Sequence, residues 1–330
     1  MSSEHLKKKA GRPKRCPIQC LQTQVLMHSL CEELGVPHTG GQLERIFEKT
    51  YLNDENLRDD GTRQRNGKYR RLLKGQHCAA PRTIKEIQKN KHTQYSIKLY
   101  YSSLWQALAP HNSLNEWLNF FRKLRPSLQS IALTNEPSDN QLIKQVNRHT
   151  ANKLLREGDI EALACGIALH RASPFSVWKG RLSCAVAKLM GWVLAEPAFD
   201  GFEKQLGNFV YNHYGVTTAD LAHYDRNFCT PNKFAPYFFI FELAKKNREF
   251  INRARTLGLL RSPKDHTRLF YLSDRGDKQR IFDEMQLVLI KDHYELVDSG
   301  KGLYWLTQEL DKHHKEKLSL FEANDTYDEA

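Results

Sequence analysis

Between Arg63 and Lys91 ten residues are Lys or Arg, and one, Glu86, is acidic. Crowded cations of one sign repel each other and cannot be desolvated without partners, so this segment has to stay at a surface. It can give a core only its few apolar side chains, and their spacing decides its local structure. Tyr69, Leu72 and Leu73 recur at helical spacing, with Arg70, Arg71 and Lys74 left on the other side, which predicts a short helix over Lys68 to Lys74. Gly75 stands where such a helix ends in a left-handed residue. Pro81 and a Thr83-x-x-Glu86 capping box then open a second helix, which turns Ile84 and Ile87 inward.

The flanks extend this helical reading. Val25, Leu26, Ser29, Leu30 and Leu34 mark a helix from about Gln22 to Leu34, stopped by Gly35. Thr39 can cap another, carrying Leu43, Ile46 and Phe47, and the polar, acidic Asn53–Gly61 reads as a loop. Gln22 to Lys89 therefore makes four helices, a size that suits a helix-turn-helix unit. Tyr69-x5-Gly75-x5-Pro81-x2-Ile84-x2-Ile87 resembles the segment that follows the recognition helix in phage-repressor-type helix-turn-helix domains. That resemblance implies a DNA-reading domain. Ahead of it, residues 1–17 read as a disordered basic arm in which Gly11-Arg12-Pro13 resembles the core of an AT-hook, an element that lays arginine into a narrow minor groove.

Further along, Tyr101, Leu104, Trp105 and Leu108 share one helical face, so packing explains the aromatics of Gln94–Leu108 better than base stacking. A Ser113-x-x-Glu116 capping box opens a stripe of Leu114, Trp117, Leu118, Phe121 and Leu124, ended by Pro126. Leu133 to Ser138 is a plausible linker. Beyond it the pattern predicts helices over Asp139–Glu157, from Asp159 to His170, Phe175–Ala195, Phe199–Tyr214, from Thr218, and Tyr237–Leu257, with Gly158, Gly215 and Gly258 as stops. Tyr294–Asp298 and Leu303–Thr307, around Ser299-Gly300-Lys301-Gly302, read as a hairpin behind a helix over Lys278–Ile290.

Little points to catalysis. Phosphate loops, dinucleotide glycine fingerprints, HExxH and serine elbows are missing from the sequence. Cys16, Cys20, His28, Cys31, His77 and Cys78 lack the paired spacing of a zinc site, and Cys165, Cys184 and Cys229 read as small core residues. His213 and His223, among Tyr211, Tyr214, Tyr224 and Asp225, are the one polar and aromatic cluster that could hold a general base. Asp265, Asp274, Asp277 and Asp283-Glu284 match no nuclease spacing. No catalytic residue, metal or cofactor is expected.

The expected protein is mainly α and multi-helical. Residues 1–20 form the basic arm and 21–132 a helix-turn-helix-like DNA-binding domain. Residues 138–320 form a larger helical domain that pairs subunits or binds another protein and ends in a winged-helix-like hairpin, and 321–330 are an acidic tail. The formal net charge of +12 and a pI near 9.3 point to a polyanionic partner, double-stranded DNA, rather than a membrane. Seven scattered cysteines and the lack of a long apolar run suit a reduced, cytoplasmic protein, nucleoid-associated if bacterial, of regulatory or mobile-element type. Phosphate contacts are expected from Lys7, Lys8, Lys9, Arg12, Lys14, Arg15, Arg70, Arg71 and Lys74. Base-edge contacts are expected from Arg63, Gln64, Arg65, Asn66 and Lys68, because arginine matches the paired acceptors of guanine and Asn or Gln matches adenine. Two other readings are an enzyme or toxin acting on nucleic acid through Tyr211–Asp225, and a helical component of a nucleoprotein assembly that meets RNA. Deleting residues 1–15 should lower duplex affinity and leave the melting temperature unchanged, because an unfolded arm adds nothing to a core. Anisotropy titrations beside thermal melts check this.

Overall fold

Pro17 fixes its own backbone angle at the first position of a helix and has no N–H to leave unpaired, so α1 (Pro17–Leu34) begins there, ahead of the expected start near Gln22. Ile18 and Leu21 join Val25, Leu26, Met27 and Leu30 on its buried side. The computed structural model describes residues 16–48, 67–111, 113–134, 142–147, 149–173, 179–214, 236–256, 258–260, 265–267 and 269–270. Over these the chain is mainly helical: thirteen α-helices, one isolated antiparallel bridge and no strand. No helix among the described residues is long and apolar enough to cross a membrane. The hairpin at 294–307, the helix over 278–290 and the acidic tail lie outside the described residues.

Contacts divide the chain into two units, Met1–Trp105 and Gln106–Ala330. In the first, α1 packs against α3 (Lys68–Leu73), a 3-10 turn (Lys91–Thr93) and α5 (Gln94–Tyr100), while α2 (Gly40–Phe47) packs on α3 and α4 (Pro81–Gln88) on α5. Leu26, Met27, Leu30, Cys31, Leu43, Tyr69, Leu72, Ile84 and Ile87 form one core cluster. Polar bonds fix α5 on α1. Glu33 accepts the N–H groups of Tyr95 and Ser96 at 3.0 and 2.9 Å, capping α5 from another helix. The buried hydroxyls of Ser29 and Ser96 meet at 2.9 Å.

Several local expectations change. Thr83 caps nothing: Ala80 is the N-cap, Pro81 opens α4, and Thr83 is buried inside it. Proline's preset φ started that helix before the threonine could. Thr39 holds the N-cap position of α2 without a side-chain cap bond, and Ile46 is exposed although its spacing suits the core. The stripe at Gln94–Leu108 is two helices, α5 and α6 (Ser103–Leu108). Leu104, Trp105 and Leu108 are buried, whereas Tyr101 is 56% exposed.

The second unit holds α7 (Leu114–Phe121), α8 (Pro126–Ala132), α9 (Thr150–Glu157), α10 (Ile160–Ala172), α11 (Lys179–Val193), α12 (Glu203–Tyr214) and α13 (Pro236–Thr256). Ser113 caps α7 by accepting the Glu116 N–H, and Asp159 caps α10 by accepting the Ala162 N–H. Leu163 to His170 of α10 are all buried, a helix surrounded by neighbours, and Cys165 and Cys184 sit in this core. α11 packs on α9, α10 and α13. Of the helix expected over Asp139–Glu157, α9 is present from Thr150, and residues 142–147 are not helical. Ahead of it Ile143 bridges Leu133, with Thr134 N–H on the Leu142 carbonyl and Lys144 N–H on that of Ala132. Leu133, expected to begin a linker, is buried by that pairing.

Gly40 lies so close to α3 that a Cβ there would stand 2.5 Å from the Arg70 nitrogen and 2.7 Å from its Cα. Gly40→Ala should therefore force α2 and α3 apart and cost about 1–3 kcal/mol, read by denaturant unfolding. Burial, with Glu32 adding to it, pushes the Cys31 thiol from 9.0 up to about 11. The unfolded thiol ionises first, so this stability is intact below pH 9 and falls as pH rises towards 11, by at most about 3 kcal/mol. Cys31→Ala should flatten that part of the alkaline decline in the same unfolding series.

Candidate nucleic-acid interface

A six-residue helix is too short to persist by itself, so α3 depends on what it packs against. Tyr69 and Leu72 point inward, 0% and 3% exposed, and Tyr69 stacks on Phe47 with ring centroids 6.0 Å apart. That docking leaves Arg70, Arg71 and Lys74 on the exposed side. Gly67, with φ of 61°, leads in, and its carbonyl accepts the Arg71 N–H at 3.1 Å. Gly75, with φ of 63°, closes the far end: its N–H reaches the Leu72 carbonyl at 3.0 Å, and that of Gln76 reaches Arg71 at 2.9 Å.

The loop behind α3 is tied to α1. Gln24 donates to the Leu73 carbonyl at 3.4 Å, and Thr23 Oγ1 accepts the Ala79 N–H at 3.0 Å. A Cβ on Gly75 would run into the Gln24 amide, so glycine is needed here for room as well as for φ. Gly67, Arg70, Arg71, Lys74 and Gln76 line a groove of about 270 Å³ on this side.

The charge around it is one-signed. From Gly67 to Trp105 the described chain has nine Lys or Arg and one acid, Glu86. Arg70, Arg71, Lys74, Arg82, Lys85, Lys89, Lys91 and Lys98 are exposed. Lys89 pairs with Glu86 at 3.1 Å, and among the described residues no carboxylate pairs with the other seven. Lys68 behaves differently. Its ammonium is 3.3 Å from Glu48 Oε1 and 4.9 Å from the Tyr69 ring centroid, so it braces α3 against the end of α2.

In the second unit three arginines are engaged internally. Arg125 holds Glu157 at 2.8 Å, Glu161 at 3.3 Å and Asp159; burial lowers the guanidinium pKa, but Asp159 and Glu157 outweigh it and push it up. Arg248 holds Asp200 at 2.9 Å, Glu203, and the Leu194 carbonyl at 3.1 Å. Arg171 donates to the Ala109 carbonyl at 2.8 Å and lies 4.7 Å over the Trp117 ring.

Of the residues singled out in the sequence, Arg70 and Arg71 on α3 come together with Lys74 at its C-cap, and Lys68 joins them with its head paired. Lys7, Lys8, Lys9, Arg12, Lys14, Arg15, Arg63, Gln64, Arg65 and Asn66 lie outside the described residues, as do the side chains of the Tyr211–Asp225 cluster. Gln76 was missed; only its place beside the Gly75 stop marked it. Arg82, Lys85, Lys91 and Lys98 were also left out of the contact set, although the one-signed run carried their signal. Among the described residues no three His, Cys, Asp or Glu side chains are grouped as metal ligands. The chain matches no protein-family model, no curated protein and no solved structure.

Proposed function

We propose that this chain binds double-stranded DNA through the Met1–Trp105 unit, with a helix-turn-helix-like use of α3 and the residues that precede it. The observation that carries the reading is the exposed charge of Arg70, Arg71 and the C-cap Lys74, with no carboxylate partner among the described residues, on a helix anchored by Tyr69 and Leu72. A folded domain that holds unrelieved cations on a fixed scaffold is complementary to a polyanion. Arg125, Arg171 and Arg248 show the alternative use, in which each guanidinium is consumed by the fold. The basic arm adds Lys7, Lys8, Lys9, Arg12, Lys14 and Arg15 as phosphate contacts, and Arg63, Gln64, Arg65 and Asn66 are the base-reading set. The Gln106–Ala330 unit serves assembly, with a second copy or another protein.

Binding through six to ten phosphates should weaken by roughly 10³–10⁵ between about 50 and 200 mM salt, and a flat response overturns the reading. Three substitutions separate holding from reading. Arg71→Ala should weaken all duplexes alike and lower the salt slope by about one phosphate's worth. Arg65→Ala should cost about 1–3 kcal/mol on a selected site only. Leu72→Ala should cost about 2–5 kcal/mol of folding stability. Binding on selected and random duplex, with melting curves, distinguishes them. Identical behaviour of Arg65→Ala and Arg71→Ala on both duplexes removes sequence readout from the proposal.

A further inference from the structure

The cysteines of the first unit are unequal. Cys31 is buried in the core, whereas Cys16, Cys20 and Cys78 are partly exposed. Cys20 sits on α1 and Cys78 in the loop between α3 and α4, yet their sulfurs lie 3.3 Å apart, one thiol hydrogen-bonded to the other. The backbone on both sides is held. Cys20 is in the second turn of an 18-residue helix. Ahead of Cys78 the Gly75 turn is fixed by two N–H bonds, and behind it the Ala79 N–H is bound by Thr23 of α1. A disulfide needs its sulfurs at about 2.05 Å, so the pair at 3.3 Å is short of bonding distance by little more than an ångström.

We propose that Cys20 and Cys78 form a thiol–disulfide modification site that exchanges with a small disulfide of the glutathione class. In the first step one protein sulfur, having lost its proton, attacks a sulfur of glutathione disulfide; the glutathione S–S bond breaks and one glutathione thiolate leaves. In the second step the other protein sulfur attacks the protein-side sulfur of the mixed disulfide and expels the second glutathione. Two protein thiols are oxidised to one disulfide, one glutathione disulfide is reduced to two thiols, and the two protons pass to them. The exposure of Cys20 and Cys78 admits the oxidant, and their proximity favours internal closure over a persistent mixed disulfide.

The bond would close at the junction that already positions α3. Thr23 and Gln24 hold the 73–79 loop by hydrogen bonds, and the Cys20–Cys78 link would hold it covalently. Its ring would contain the rest of α1, α2 and α3, so oxidation restricts unfolding of the whole Gly67–Gln76 groove. This consequence concerns the stability of the unit and stands apart from the duplex-binding reading.

The test uses the full-length protein equilibrated in reduced and oxidised glutathione, followed by non-reducing peptide mapping and thermal melts. The expected result is a linked peptide pair containing Cys20 and Cys78, lighter than the reduced pair by two hydrogens, in the wild type and in Cys16→Ser. Cys20→Ser and Cys78→Ser should lack it. The oxidised wild type should melt roughly 5–15 °C above the reduced form, a rise absent from both single variants. Stable glutathione adducts without the internal link, a Cys16–Cys78 link, or indiscriminate pairing that includes Cys31 each overturn the proposal. The peptide map of the wild type decides the question even where a serine variant folds poorly.

Discussion

The docking of Tyr69 and Leu72 onto α1 is the interaction on which the first unit depends. Lys, Arg and Leu are good helix formers, but six residues are too few for a helix to persist by itself, and repulsion between Arg70, Arg71 and the C-cap Lys74 works against it. Burial of an aromatic and an aliphatic side chain, with glycines at both ends and Gln24 and Thr23 bracing the following loop, outweighs that repulsion. On the proposed reading, a polyanion that neutralised this crowded charge would return the stability spent on displaying it.

The same logic runs in reverse in the second unit. Arg125 stands just ahead of α8 and draws together Glu157, Asp159 and Glu161 from the end of α9 and the start of α10. Arg248 joins α13 to the turn carrying Asp200 and to Glu203 of α12. These guanidiniums are partly shielded and multiply bonded, and removing one would leave carboxylates facing each other, a fold defect rather than a binding defect. Arginine count alone therefore says little about nucleic acid: Arg125 and Arg248 are taken up by acids of the chain itself, whereas Arg70 and Arg71 have no carboxylate partner among the described residues.

Much of this was legible in the sequence, because it rests on local rules. Gly35, Gly75, Gly158 and Gly258 stop helices where spacing placed the stops, and Ser113 and Asp159 cap theirs. The inward face of α3 followed from three apolar residues among cations. At Pro17 the helix begins at the proline, ahead of the start that apolar spacing marked, and at Pro81 the proline opens the helix in place of the Thr83 capping box. Amphipathic spacing also misread residues 142–147, whose backbone pairs with Leu133 and Thr134, since a non-local bridge has no periodic signature. The pairing of Lys68 with Glu48 and the meeting of Cys20 with Cys78 were invisible for the same reason: both depend on which helices cross.

Lysine acetylation footprinting in the presence and absence of duplex DNA tests the central claim most directly. Lys74 lines the groove on α3, while Lys153 and Lys204 are exposed lysines of the second unit. If the cations displayed by α3 grip the duplex, Lys74 should lose most of its reactivity on binding, while Lys153 and Lys204 keep theirs. Unchanged reactivity of Lys74 with duplex demonstrably bound would contradict the account.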